Sequence, residues 1–160
     1  MSARTACHCP EINDQDWHLQ DQDWSGKFFY FDDVQYFFGL PLGLDKRIAE
    51  MKREIARKGY QLVHPEQVLH WVGLFQGRLL MEIEDPKQYD ANVECFENAR
   101  ILTRVYHGPR SGIRDAVEAL KAFTSDRTHI EPGVIYRWPV TCARCAERRG
   151  GDKVVLFARV

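Results

Sequence analysis

Two closely spaced cysteine pairs are the residues of this sequence best suited to hold a metal ion. Cys7 and Cys9 are separated by one residue near the N-terminus, and Cys142 and Cys145 by two residues near the C-terminus. Four thiolates in two pairs can bind Zn²⁺ tetrahedrally, and the second spacing is the more typical half-site. The sequence therefore predicts a zinc site that ties an N-terminal arm to the body. A redox or disulfide pair, or four inert thiols, are the alternatives, and no cofactor is expected to be required.

Length and composition predict one globular domain. The chain has 160 residues, of which 44% are hydrophobic and 28% charged, enough to bury a core. A formal net charge of −1 gives no positive surface for direct nucleic-acid or membrane binding. We expect a monomer or weak dimer. We expect it in the cytoplasm, because no apolar run reaches membrane-spanning length and no signal peptide is recognisable. Five cysteines in such a chain favour reduced thiols or a metal over a disulfide framework.

The hydrophobic pattern predicts an arm followed by a duplicated body. Residues 1–26 are polar and aperiodic, and we interpret them as an irregular arm whose Trp17 and Trp24 pack onto the body. Residues 27–86 and 97–160 each have the pattern of a strand, a helix and two further strands. The expected fold is a single α+β domain over residues 27–160. Its two pseudo-twofold modules form an antiparallel sheet with helices on one face and a ligand cleft on the other.

Turn signals and residue spacing refine this expectation. Gln76 and Gly77 separate two apolar runs and predict a hairpin turn. The polar connector 85–99 is expected to hold one short helix. When the two halves are aligned by their apolar spacing, His70 corresponds to Arg137.

Alternation along the strands predicts which side chains share the face without helices. The aromatic and aliphatic residues of both halves would then line one cleft, with a glutamate as its acid, and flat cations would be attracted to the aromatic rings. His70 and Arg137 would face the other way. The alternative is a packed core without a cavity. The predicted ligand-binding residues are Phe37, Leu69, Trp71, Leu80, Glu82, Tyr106, Tyr136, Trp138, Val155 and Phe157.

The two-module pattern and two local motifs resemble the GyrI-like effector-binding domains. The motifs are residues 105–109 (VYHGP), before the second helix, and residues 132–136 (PGVIY), after it. The resemblance covers about residues 27–160 and implies a cleft for flat, hydrophobic and often cationic compounds. Only 26 residues precede the body, too few for a helix-turn-helix domain. The resemblance therefore implies a stand-alone small-molecule binding protein for multidrug sequestration or sensing.

An enzyme is the alternative that the same resemblance implies. The family's pocket glutamate lies on strands of the second module, where this chain has Tyr136 or Val155, and Glu82 of the first module is the nearest substitute. Some relatives hydrolyse reactive genotoxins, so a hydrolase in the same cleft would use Glu82 as its general base. A third interpretation is an interaction protein stapled by a metal on its four paired cysteines.

Overall fold

The structure, a computed structural model, describes residues 9–160 apart from the side chain of Ala143. This part of the chain is an α+β fold with a nine-stranded antiparallel sheet. The helices are α1 (Asp14–Trp17), α2 (Leu44–Arg57), α3 (Ile113–Thr128) and α4 (Ala143–Arg149). The strands are β1 (Asp21–Asp23), β2 (Phe28–Phe37), β3 (Leu40–Pro41), β4 (Leu69–Trp71), β5 (Gln76–Ile83), β6 (Val93–Cys95), β7 (Arg100–Gly108), β8 (Val134–Pro139) and β9 (Asp152–Arg159). Among the described residues, no helix combines the length and the apolar composition that a membrane crossing needs.

The strand order keeps the two halves of the chain side by side. The sheet runs β1-β7-β9-β8-β4-β5-β2-β3, and β6 pairs with β2. The three main strands of each half are therefore neighbours, and the halves join where β8 meets β4. Connector 85–99 forms β6 instead of the predicted short helix, because Val93 to Cys95 pair with the edge of β2. This pairing satisfies edge N–H and C=O groups that a helix would leave open.

Both long helices cover the same face of the sheet, each over its own half. Spacings of four residues place Met51 and Ile55 of α2 against β2 and β5. The same spacing places Ala116 and Leu120 of α3 against β7 and β9. Gly59, at φ +79°, lies just beyond the end of α2, where a left-handed residue typically terminates a helix. Because each helix packs only on its own strands, this face has two separate apolar clusters.

The opposite face is covered by the N-terminal arm. The arm is more regular than predicted, since it contains α1 and pairs β1 with β7. Trp24 is buried there, with its ring centroid 5.6 Å from that of Phe29 and 5.3 Å from that of Phe157. Phe96 of the connector is buried in the same cluster, and Trp17 packs against it. The two tryptophans thus pack onto the body, as predicted.

The predicted hairpin turn at Gln76 and Gly77 is wrong. Both residues belong to β5, where they pair with Gln35 and Val34. A Cβ atom on Gly77 would collide with the ring of Tyr36 and the carbonyl oxygen of Trp71. The glycine is therefore required by close approach of a side chain rather than by a turn.

Replacing Trp24 with Ala should destabilise the protein by about 3–5 kcal/mol, because a buried aromatic anchor leaves a cavity between the arm and the sheet. Trp71→Ala is the matched control, since 44% of Trp71 is exposed, and it should cost less than about 1 kcal/mol. Urea unfolding followed by circular dichroism measures both. Equal losses would show that the arm does not contribute to the core.

Candidate active site

A cleft lies on the helix-bearing face, between the two apolar clusters. Its volume is about 260 Å³, which suits a small molecule or part of a larger one. Its walls are mostly apolar, and its polar groups come from both halves of the chain. It is lined by Tyr36, Gly39, Leu40, Pro41, Leu44, His70, Val72, Arg110, Ile113, Arg137, Pro139, Thr141, Asp152, Lys153 and Val154.

His70 and Arg137 meet where the two halves of the sheet join. They are directly opposed across β4 and β8, so both side chains project to the same face. Their neighbours Leu69, Tyr136 and Trp138 are buried in the cluster on the other face. Only 6% of His70 is exposed. The expectation that His70 and Arg137 face away from the aromatic set agrees with this arrangement.

Burial shifts the pKa of the polar groups in this cleft. Loss of water, assisted by the nearby charge of Arg137, lowers the pKa of His70 to about 4. Burial also lowers the pKa of the Arg137 guanidinium and raises the pKa of the Tyr36 hydroxyl. His70 is therefore a neutral imidazole near pH 7, beside a cation. Ionisable groups shifted in this way and gathered in a cleft are typical of active sites.

Tyr36 brings a hydroxyl group to the cleft without a partner of its own. Among the described residues, its Oη and Nε1 of Trp138 are the buried side-chain polar atoms that lack a hydrogen bond. Such an atom costs about 1–3 kcal/mol unless a ligand or water satisfies it. The absence of a side chain at Gly77 gives the Tyr36 ring its space. The hydroxyl is thus placed to bond to a bound molecule.

Charged and apolar groups surround the cleft mouth. Nε of Arg110 lies 3.7 Å from Oδ2 of Asp152, and Nζ of Lys153 lies 2.7 Å from Oδ1 of Asp14 in the arm. Leu40 is 61% exposed and belongs to the hairpin that follows β2. Other large apolar side chains of this hairpin and of the β4–β5 turn are also exposed, namely Phe37, Phe38, Leu42, Leu74 and Phe75.

The ten residues predicted to bind ligand lie in four different environments. Six are buried together beneath the arm: Leu69, Leu80, Tyr136, Trp138, Val155 and Phe157. Phe37 and Trp71 are exposed. Tyr106 instead lies on the helix-bearing face, packed with the α3 cluster, and its hydroxyl donates to the Pro109 carbonyl at 2.5 Å.

Glu82, the predicted acid, lies in a second groove at the edge of the arm. Nζ of Lys27 is 2.8 Å from its Oε1, and Nε2 of His64 is 3.8 Å from its Oε2. The groove has a volume of about 440 Å³ and is walled by Trp17 and Trp24. The arrangement joins a carboxylate, an imidazole and an ammonium group at a solvent-accessible site.

Three of the four predicted metal ligands come together in the structure. The sulfur atoms of Cys9, Cys142 and Cys145 all lie within 4.8 Å of one another. Cys7, the fourth predicted ligand, lies outside the described residues. The cluster connects the arm to the N-terminal end of α4, since Cys142 precedes this helix and Cys145 lies within it.

Sequence reasoning identified the opposed pair but not its role. Alternation predicted that His70 and Arg137 share one face, and the tryptophans of the opposite face indicated a ligand cleft there instead. One feature of the sequence could have predicted the cleft. When the two halves are aligned, a histidine and an arginine occupy the same central strand position. A polar pair at a central strand position indicates a function when the flanking residues are apolar.

Acid should destabilise the protein through His70. In the unfolded chain His70 has a pKa of about 6.5, whereas in the folded protein it takes up a proton only near pH 4. Protonation therefore favours the unfolded state, and stability falls as the pH drops through this window. Between pH 7 and pH 5, wild type should lose about 2 kcal/mol more unfolding free energy than His70→Gln. Urea unfolding at both values measures this. The exposed His107→Gln should behave as wild type, and equal losses for wild type and His70→Gln would contradict the prediction.

Comparison with known proteins gives one family. The sequence profile of a family described as bacterial hydrolase matches residues 1–160. A search of curated proteins gives no match to this chain. The interpretation as a GyrI-like effector-binding domain is wrong, because the matching profile is that of a different family and extends through the arm. The family supports the predicted alternative, a hydrolase, better than the multidrug sequestration or sensing function that the resemblance implied. The chain belongs to the bacterial hydrolase family.

Proposed function

We propose that the chain hydrolyses small hydrophobic carbonyl compounds, such as esters, in the cleft between the two halves of the sheet. The observation that carries this proposal is the buried, neutral His70 directly opposed to Arg137. A neutral imidazole can take a proton, and an adjacent guanidinium can stabilise the negative charge that develops on a carbonyl oxygen. These are the two needs of a hydrolytic step.

Water is the proposed nucleophile. None of the described residues lining the cleft is a serine or cysteine, and the Thr141 hydroxyl accepts a hydrogen bond from the Lys153 N–H. His70 would remove a proton from water as its oxygen adds to the carbonyl carbon. Arg137 and the hydroxyl of Tyr36 would donate hydrogen bonds to the resulting oxyanion. Collapse of this intermediate expels the leaving group, which takes the proton back from His70.

The substrate class follows from the walls. Leu44, Val72 and Ile113 line the cleft, and the exposed apolar residues of the adjoining hairpin extend this surface, so a hydrophobic acyl or alkoxy group fits it. The cations at the cleft, Arg137 and Arg110, disfavour the cationic ligands predicted from the aromatic set. The genotoxin substrates implied by the GyrI-like resemblance lose their basis with that resemblance.

The Glu82 groove is a second candidate site for the same class of reaction. The 3.8 Å approach of His64 to Glu82 favours it, since a carboxylate can orient an imidazole that activates water. However, Glu82 is also paired with Lys27, and the side chain of His64 is about half exposed. Hydrolysis there would take place in a wetter site than the central cleft.

We further propose that the cleft lies between two pseudo-twofold modules. The strand order supports this, because β7-β9-β8 and β4-β5-β2 meet at their corresponding strands. The opposed His70 and Arg137 would then occupy equivalent positions. An ancestral site of this kind would have carried two identical side chains that later diverged into a base and a cation.

Substitution should distinguish the two candidate sites. With 4-nitrophenyl butyrate as the probe, His70→Gln should lower kcat about 100-fold or more, because proton transfer is lost. Arg137→Gln should lower kcat about 100-fold, the loss expected when one hydrogen-bond donor to the oxyanion is removed. In wild type the acid limb of kcat/KM should fall near pH 4, the pKa of His70.

His64→Gln and Glu82→Gln are the matched variants of the second groove and should retain activity within about threefold. If these two variants lose activity while His70→Gln and Arg137→Gln retain it, the reaction takes place in the Glu82 groove. Failure to hydrolyse 4-nitrophenyl acetate, butyrate and octanoate would overturn the proposed substrate class.

A further inference from the structure

We propose that Cys9, Cys142 and Cys145 are ligands of a structural Zn²⁺ ion. The first observation is geometric, since the three sulfur atoms all lie within 4.8 Å of one another. Thiolates bound tetrahedrally to zinc lie about 3.8 Å apart, because each Zn–S bond is about 2.3 Å long. The three sulfurs therefore need to approach by at most about 1 Å to become ligands.

The second observation is the setting of the cluster. The backbone N–H of Cys142 donates to Sγ of Cys9 at 3.2 Å, so the sulfur from the arm is already bonded to the segment that carries the other two. Cys145 is buried, and Cys9 and Cys142 are half-buried. This protection from water suits a closed structural site rather than a catalytic one with an open position.

The charge around the cluster is complementary to such a site. Three thiolates around Zn²⁺ carry a net charge of −1. The seven-residue helix α4 contributes Arg144, Arg148 and Arg149, and Arg149 also lies 3.5 Å from Glu11 of the arm. These cations offset the negative charge of the site.

Sequence separation explains what the ion would achieve. Cys9 precedes the arm residues that cover the sheet, and Cys142 and Cys145 lie between β8 and β9. A metal joining them closes almost the entire chain into one loop, which limits the unfolded state. The ion would hold the arm over the Trp24 cluster, independently of the hydrolytic chemistry proposed above.

Metal analysis of the full chain, purified under reducing conditions, should find about one zinc per chain. The exposed-thiol reagent DTNB should then spare Cys9, Cys142 and Cys145, which should react once a chelator and mild denaturant are added. Cys95→Ser is the matched control, since Cys95 lies outside the cluster, and it should retain the metal. Cys142→Ser should reduce zinc content at least tenfold.

Reconstitution of wild type with Co²⁺ gives a readout that does not depend on how any variant folds. Tetrahedral thiolate ligands should produce an intense near-ultraviolet charge-transfer band and visible d–d bands. Protein that contains no metal and gives no such spectrum would overturn the proposal. So would a mass showing a disulfide within the cluster, or undiminished zinc in Cys142→Ser.

Discussion

The sheet of this protein is apolar on both faces, and the rest of the structure depends on covering both. Along β9, Val154 and Leu156 pack beneath α3, whereas Val155 and Phe157 project into the opposite cluster. An exposed apolar face costs about 25 cal/mol for each Å² left in water. Two long helices cover one face only, so the chain must cover the other with irregular segments. The arm and the connector before β7 provide this second layer.

The two layers have different consequences for the two faces. Under the arm, residues of both halves form one continuous cluster, from Phe29 of β2 to Phe157 of β9. On the helix-bearing face, α2 and α3 each form a cluster with their own strands. Of the described residues of these two helices, just the first of each, Leu44 and Ile113, lines the cleft at the junction between β4 and β8. His70 and Arg137 lie at this junction. A cleft with polar groups at its floor thus results from two helices that do not meet.

Much of the architecture could be predicted from the sequence, because it depends on local periodicity. The four-residue spacing of Met51 and Ile55 predicted α2, and alternation predicted that His70 and Arg137 share a face. What covers the second face of the sheet could not be predicted, because it depends on contacts between the arm and strands that are distant from it in the sequence. An apolar face closed by Trp24 has the same strand pattern as a face open to a ligand. The family assignment failed for a related reason: a shared order of strands and helices does not specify a site.

The arm-covered core determines how precisely the cleft is built. His70 lies between Leu69, which is fully buried, and Trp71, while Arg137 lies between Tyr136 and Trp138, both buried in the cluster beneath the arm. Side chains locked on one face of a strand fix the direction in which their neighbours project on the other. A general base and an oxyanion donor need this rigidity, because errors of about 1 Å lower rates steeply. The layer that the arm provides therefore supports the floor of the cleft from behind. It does so indirectly, since none of the residues that line the cleft belongs to the described part of the arm.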